Sequence, residues 1–536
     1  MPLTNVPLIQ LFASQQARTR RDRLCAALRQ LITDGTLRQG ERLPSSRLLA
    51  VDLSLSRVTV EAAYAQLESE GCLLRHSGKG TFVAADRQLI TDGTLRQGER
   101  LPSSRLLAVD LSLSRVTVEA AYAQLESEGC LLRHSGKGTF VAADLPAPRR
   151  PTPASSTAAP ALSSRGSNIV ASGGCDDPLF PLAFAAGSPD LRAFPHAIWR
   201  RLVAQRLRHT PEKMMGYGAP QGLADLREAV ARYLAQARGV RCDAGQIIIL
   251  TSSQQALQML AMLLCDTGDA VWLEEPGYRG AYHAFNSAGA TIGTLELDDE
   301  GAKIPDRPAA KLIYLTPSHQ YPTGATMSLT RRLAWLAYAR AHGSWLIEDD
   351  YDSEFYYGAQ PAPALQGLDK AGRVLYLGTF SKTLFPSLRL AYLAVPPALV
   401  DACCRMRSVM DGHSAQLMQA VTADFLDRGH FQAHLRLMRK LYGSRRELLL
   451  TELATKLGDR LHPLSHQHGL QLTATLPDGG EEKLTRQALQ AGLVLPRLSP
   501  LYQGDARQEG WLLGFSALAP AEIVSAVEKL ARVFSG

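Results

Sequence analysis

The stretch Leu377–Leu393, LGTFSKTLFPSLRLAYL, decides how the larger part of this 536-residue chain is read. Apolar runs at Val374–Leu377 and Leu390–Val395 predict two strands, and Lys382 lies just beyond the first of them. Thr379 and Ser381 supply hydroxyl groups immediately before it, and Arg389 follows. A lysine amine whose surroundings lower its pKa condenses with an aldehyde to give an imine, or Schiff base. An arginine grips phosphate bidentately, and hydroxyls add further donors. Pyridoxal 5′-phosphate (PLP) carries both an aldehyde and a phosphate. The stretch therefore suits PLP held by Lys382, with Thr379, Ser381 and Arg389 around its phosphate.

On either side of this stretch, apolar runs alternate with helical patterns. Strands are expected at Ile247–Leu250, Ala270–Leu273, Leu312–Leu315 and Trp345–Ile347, with amphipathic helices such as Leu223–Gln236 between them. This alternation predicts an α/β domain over residues 181–536 with a largely parallel sheet. Ligands in such sheets bind at the carboxyl ends of the strands, and the informative residues fall there. Asp349, in LIEDDYDSEF, is a candidate to hold the pyridine nitrogen protonated, with Asp350 competing for that role. Tyr351 is then within reach of the ring oxygen. Ser252, Ser253 and Gln254 open the helical run that follows Ile247–Leu250, where free N–H groups and the helix dipole favour an anion. Tyr278, in EEPGYRGAY, is placed to stack on the ring, core packing being its ordinary alternative.

The front of the chain is written twice. Residues 29–86 and 87–144 are identical over all 58 positions. Repeat arrays usually drift apart, so full identity points to a recent duplication or a fault in sequence assembly. Each copy predicts a short helix started by Pro-Ser-Ser, a turn, a second helix and a Gly-rich hairpin. In the first copy the second helix spans roughly Arg57–Glu70, with Val60, Ala63, Tyr64 and Leu67 as its buried stripe. A preceding helix from Ser14 to Ile32 would add Leu24, Ala27, Leu28 and Leu31. The second copy begins after the strand-like TFVAAD, so its first helix is truncated and its core less complete. Two helices joined by a tight turn put the second into a DNA major groove, N-terminus first. Ser56, Arg57 and Thr59 would then approach bases and phosphates, Arg47 a phosphate, and Lys79 the duplex at the hairpin tip. Arg57 and Lys79 as plain surface charges are the alternative.

Charge agrees with a polyanion partner for the front. Residues 1–150 hold 20 Lys+Arg against 15 Asp+Glu, while the remaining residues hold 38 against 36. The segment 145–180 is rich in Pro, Ser, Ala and Gly and is expected to be a flexible, partly extended linker. The eight cysteines are scattered, without metal-type spacing, which fits free thiols in a reducing cytoplasm. No apolar run is long enough to span a membrane, and the N-terminus lacks the pattern of a secretory signal.

The ordered set LPSSRLLA, LSLSRVTVEAAYAQLESEG and GKGTFV resembles the GntR-type winged helix. The resemblance implies DNA contacts by Arg47, Ser56, Arg57, Thr59, Lys79 and Gly80 in copy 1–86. In copy 87–144 the matching positions are Arg105, Ser114, Arg115, Thr117, Lys137 and Gly138. GSPDLRAFPHAIWRR, YGAPQGLADLREAVARYL, TPSHQYPTG and the Lys382 segment together resemble a fold-type I, class I/II aminotransferase domain. Such a domain behind a GntR-type head resembles the MocR family of bacterial transcription regulators. This implies that Lys382, Asp349 and Tyr351 hold PLP, with Ser252, Ser253 and Arg389 on its phosphate. It further implies a head-to-tail homodimer in which Tyr217 approaches the neighbour's cofactor, a double-stranded operator, and PLP or an amino compound as effector. Two positions depart from active aminotransferases. Tyr321 stands where they usually carry an asparagine, and GWLLGFSAL has leucines where they carry the arginine for the substrate carboxylate; Arg497 is a possible substitute. The leading expectation is a sensor. A catalytically active aminotransferase with an accessory head is the alternative, and an inert product of a disrupted gene a third.

Overall fold

The computed structural model describes residues 11–12, 19–33, 36–37, 43–53, 55–69, 73–76, 80–83, 95–96, 98–110, 114–127, 129–142, 162–171, 173–174 and 182–535, the last except 210, 359–361, 465–466 and 506–507. Contacts divide the chain into Met1–Pro160 and Ala161–Gly536.

Within Met1–Pro160, the first copy holds three described helices, α1 (Arg20–Thr33), α2 (Ser46–Asp52) and α3 (Arg57–Ser69), and a hairpin of β1 (Leu73–His76) with β2 (Gly80–Val83). The apolar stripe of α1 and the predicted stripe of α3 are buried against each other, with Leu49 and Leu73 closing the core. Ser45 caps α2, its side chain accepting from the Leu48 N–H at 3.3 Å. Tyr64 is buried but satisfied, donating its hydroxyl to the Pro44 carbonyl at 2.8 Å. Ser14–Arg18, expected to begin the first helix, lie outside the described residues, as does Lys79.

The second copy, also within Met1–Pro160, repeats α2 and α3 as α4 (Ser104–Asp110) and α5 (Arg115–Ser127), and the hairpin as β3 (Leu131–His134) and β4 (Gly138–Val141). Tyr122 repeats the bond of Tyr64, donating to the Pro102 carbonyl at 2.8 Å. Its buried core consists of Ala108, Val118, Tyr122, Leu131 and Val141, with Leu107 and Leu125 only partly covered.

Part of the segment expected as an extended linker is helical. Ser164–Ala171 forms α6, capped by Ser163, whose hydroxyl accepts from the Gly166 N–H at 3.0 Å. The run SRGSNIVA contains no proline, and that permits the helix, whereas the Pro-rich residues 145–161 lie outside the described part.

The large unit is built on a seven-stranded sheet. Its strands are β5 (Ile247–Leu250), β6 (Ala270–Glu274), β7 (Thr291–Leu295), β8 (Leu312–Leu315), β9 (Trp345–Asp350), β10 (Val374–Thr379) and β11 (Ala391–Ala394), in the order β5-β11-β10-β9-β8-β6-β7. All neighbours run parallel except β11, which is antiparallel to both β10 and β5. Eleven residues join β10 to β11, too few for a crossover helix, so the chain must turn back. Full burial on both faces explains why β5, β8 and β10 read as unbroken apolar runs. Helices cover the sheet, among them α7 (Ala224–Arg238), α8 (Ser253–Leu264) and α9 (Arg279–Ser287), with α6 lying against α9. The long helix α10 (His430–Leu457) leads to a small antiparallel sheet of β12 (His462–Pro463), β13 (Gln471–Thr475) and β14 (Gly510–Gly514), backed by α11 (Pro520–Ser535).

Candidate cofactor site and DNA-contact surface

The carboxyl ends of β5, β6, β8, β9 and β10, with the start of β11, open into one cavity of about 440 Å³. Ser252, Ser253, Gln254, Tyr278, Asp349, Tyr351, Thr379, Ser381, Lys382 and Arg389 all line it. Residues that sequence alone tied together by motif are thus brought together in space from four separate segments. Tyr217 is fully exposed and stands outside this cavity, its ring edge-on to His413.

Lys382 donates to the Gly187 carbonyl at 3.0 Å. Gly187 has a φ of +68°, a left-handed conformation that favours glycine, and a Cβ there would lie 2.8 Å from the lysine nitrogen. Arg389 has a φ of +52°, a left-handed conformation costly for a residue with a side chain. That turn sends Arg389 to the cavity wall just before β11. Opposite, Ser252 caps α8, its hydroxyl accepting from the Gln255 N–H at 3.1 Å. The N-terminus of α8 therefore faces the same space as Arg389, and both favour an anion.

Asp349 and Asp350 are separated by strand alternation. Asp350 pairs with Arg238 at 2.8 Å and accepts from the Tyr376 hydroxyl at 2.6 Å, away from the cavity. Asp349 lines the cavity; its Oδ2 accepts from the Tyr314 hydroxyl at 2.7 Å, while its buried Oδ1 has no hydrogen-bond partner. Burial pushes the Asp349 carboxyl up to about 7, the Tyr314 bond opposing this and the Asp350 charge adding to it. Tyr351 donates to the His319 carbonyl at 3.0 Å and lies 3.0 Å from His319 Nδ1, which is 2.9 Å from Asp352. Tyr278, Tyr321 and Tyr351 are joined edge to face at the cavity.

Several residues at this site escaped sequence reasoning. Tyr314 sits inside an unbroken apolar strand, where only knowledge of Asp349 as its neighbour would single it out. Gly187 and Gln471 line the cavity from segments far from Lys382 in sequence, and no local motif marks them. His319 lies in TPSHQYPTG, a segment noted for Tyr321 alone. Leu512, from the leucine pair in GWLLGFSAL, is buried in an apolar cluster with Leu498 and Tyr502, against which Ala186 and Tyr321 pack. Arg497 bridges Trp511 through the backbone and is not part of the cavity lining.

In the first head, Ser56 caps α3, accepting from the Thr59 N–H at 3.1 Å and lying 2.8 Å from the Thr59 hydroxyl. Arg47 is exposed, and Arg57 is exposed beside Glu61 at 3.9 Å. In the second, Arg105 and Lys137 are exposed, and Arg115 lies 3.7 Å from Glu119. Ser114 precedes α5, and Thr117 lies in its first turn. Gly80 and Gly138 begin the second strand of each hairpin.

Residues 20–83 and 87–141 match the family "Bacterial regulatory proteins, gntR family", and residues 183–532 match "Aminotransferase class I and II". A relative described as "Probable rhizopine catabolism regulatory protein MocR" from Rhizobium meliloti is 40% identical, over 84% of this chain and 92% of that protein. The chain belongs to the MocR-type transcription regulators.

This MocR-type chain is also similar to "HTH-type transcriptional regulator TauR" from Rhodobacter capsulatus, at 32% identity over 86% of this chain and 98% of that one. Among solved structures, Pyrococcus horikoshii kynurenine aminotransferase matches at 27% identity with a TM-score of 0.62, over 70% of this chain and 95% of that chain. The GntR-type region is DNA-binding, and the cofactor of the large domain is PLP. The unpartnered Oδ1 of Asp349 fits that cofactor, since a protonated pyridine nitrogen would satisfy it. No helix among the described residues is long and apolar enough to cross a membrane.

Proposed function

We propose that this MocR-type regulator uses its PLP cavity as a sensor whose state sets operator binding. Lys382 holds the cofactor through its amine, Asp349 takes the pyridine nitrogen, Tyr351 reaches the ring oxygen and Tyr278 lies against the ring. Ser252, Ser253, Gln254, Thr379, Ser381 and Arg389 take the phosphate. When bound, PLP supplies an aldehyde for which a primary amine competes with Lys382. The effector is PLP itself or such an amino compound. The observation that carries this reading is the convergence of all these side chains on one cavity containing an unsatisfied carboxylate oxygen.

Detection is favoured over turnover by the cavity wall. Arg389 is the one arginine among the described lining residues, and here it serves the phosphate. Leu512, from the leucine pair that stands where active aminotransferases carry the carboxylate-binding arginine, packs among apolar side chains. Repeated turnover with an amino donor and a keto-acid acceptor would overturn this preference.

At the head, Arg47, Ser56, Arg57, Thr59, Lys79 and Gly80, or their counterparts Arg105, Ser114, Arg115, Thr117, Lys137 and Gly138, contact duplex DNA in the cytoplasm. The chain acts as a head-to-tail homodimer, a reading supported by the full exposure of Tyr217. Footprinting of the intergenic DNA beside the gene, with and without PLP, is the test. A protected site that changes with PLP or an amino compound is expected; no protection under either condition would sink the proposal.

A further inference from the structure

The first copy shows what covers the inner face of a winged-helix body in this chain. On α1, Leu24, Cys25, Ala27, Leu28 and Leu31 are buried against Leu49, Val60, Ala63, Tyr64 and Leu67. Cys25 Sγ lies 3.8 Å from the Ala63 carbonyl oxygen and 3.6 Å from Gln66 Oε1. The second copy carries the same acceptor helices. Helices α3 and α5 are both RVTVEAAYAQLES, and α2 and α4 are both SRLLAVD.

Most of the sequence of the covering helix lies outside the repeat. Residues 77–86 precede Arg87 as residues 19–28 precede Arg29, but they read SGKGTFVAAD, and Gly80–Val83 are already paired as β2. Of the five buried α1 residues only Leu31 falls inside the duplicated stretch. The burial follows. Leu49, Ala63 and Leu67 are fully buried, whereas their counterparts Leu107, Ala121 and Leu125 are partly exposed.

We infer that the less buried face of the second copy is a docking surface for α1 of the same chain, so that one helix serves two identical acceptors. The residues that receive α1 are present twice, Leu49, Val60, Ala63, Tyr64 and Leu67 recurring as Leu107, Val118, Ala121, Tyr122 and Leu125. The difference between the two seatings is chain length. Thr33 is ten residues from Leu43 in the first body and 68 from Leu101 in the second. The longer closure costs entropy as the logarithm of length, which favours the first seating by about twenty-fold. The exchange transfers the complete reading unit from Arg57 to Arg115, 58 residues closer in sequence to the regulatory domain.

Crosslinking in the full-length protein tests this. Gln66→Cys and Gln124→Cys are made separately, and a short bis-maleimide is allowed to join Cys25 to the new thiol. Tryptic mass spectrometry, with fragmentation to locate the joined cysteine, distinguishes the two bodies because only one carries the substitution. The expected yield at position 124 is about one-twentieth of that at position 66. Leu67→Ala in the Gln124→Cys chain truncates a fully buried leucine and shifts the balance by at least about thirty-fold, so the position-124 product becomes a major species. Leu125→Ala should reduce it instead. Isotope-labelled and unlabelled chains are mixed to show that the linked peptides come from one chain. Absence of the position-124 product in the Leu67→Ala background, or its formation only between chains, would overturn the inference.

Discussion

Leu67 in the first winged-helix unit is fully buried, and its counterpart Leu125, on a helix of identical sequence, is partly exposed. The local bonds do not distinguish the two units. Tyr64 and Tyr122 make the same hydrogen bond, and the hairpins pair in the same register. The difference lies in α1, of which the duplication copied only the last five residues, Arg29–Thr33. Propensity, capping and turn chemistry therefore suffice to draw the elements of a winged helix twice, while a closed core also needs a segment outside the repeated stretch.

The largest effect expected is a control on that comparison. Lys382→Ala should abolish the absorbance band of protein-bound PLP completely while operator binding stays measurable. An unchanged band in the purified variant would refute the role given to Lys382. Loss of all DNA binding would show that the state of the heads depends on the large domain.

Next in size is the pair Leu67→Ala and Leu125→Ala, one chemical change made in two contexts. Truncating a fully buried leucine costs about 2–5 kcal/mol, and a partly exposed one less. Hydrogen exchange of each unit should therefore show a larger loss of protection for Leu67→Ala. Equal losses would mean that the second core is as complete as the first.

The large domain has a pH dependence that tests whether its cavity is built for a cation. Folded Asp349 keeps its proton up to about pH 7, whereas an ordinary carboxyl in the unfolded chain releases it near 4. The folded state thus binds more protons across that window, and cofactor-free stability should fall as pH rises through it. Asp349→Asn should flatten this slope, raise cofactor-free stability at pH 8, and weaken PLP binding. A slope unchanged in thermal melts between pH 5 and 8 would remove Asp349 from the account.

The same contrast between local and distant causes explains what could be read from the sequence. The strands ending at Leu250, Leu315 and Thr379 were legible because both faces of the sheet are buried and the apolar runs are continuous. The cavity residues that follow them were legible because each sits at a strand end with a chemically distinctive neighbour. The helix Ser164–Ala171 was hidden by the Pro- and Ser-rich composition around it. Tyr314 and Gln471 were hidden for a different reason. Their importance arises from residues that approach them only in the folded chain, and neither lies in a local pattern that announces a ligand.

The smallest effects concern which unit reads DNA. Arg57→Ala and Arg115→Ala should differ in operator affinity, the residue on the complete unit costing about ten- to a hundred-fold and the other little. Equal losses would mean that both units engage the duplex together. The caps sharpen this further. Ser56→Ala removes the bond to the Thr59 N–H and should cost the first unit about 1 kcal/mol. Ser114→Ala is the matching change at the start of α5. A capped helix end also orients the N–H groups that meet a phosphate, so each cap affects binding as well as stability. Where α1 is seated on its own body, Ser56→Ala should weaken operator binding and Ser114→Ala should not. In the Leu67→Ala background the order should invert, because α1 then completes the second unit and Ser114 becomes the cap at the DNA. Retention of the original order in that background would show that the reader is fixed by its position in the chain and not by the helix that closes its core.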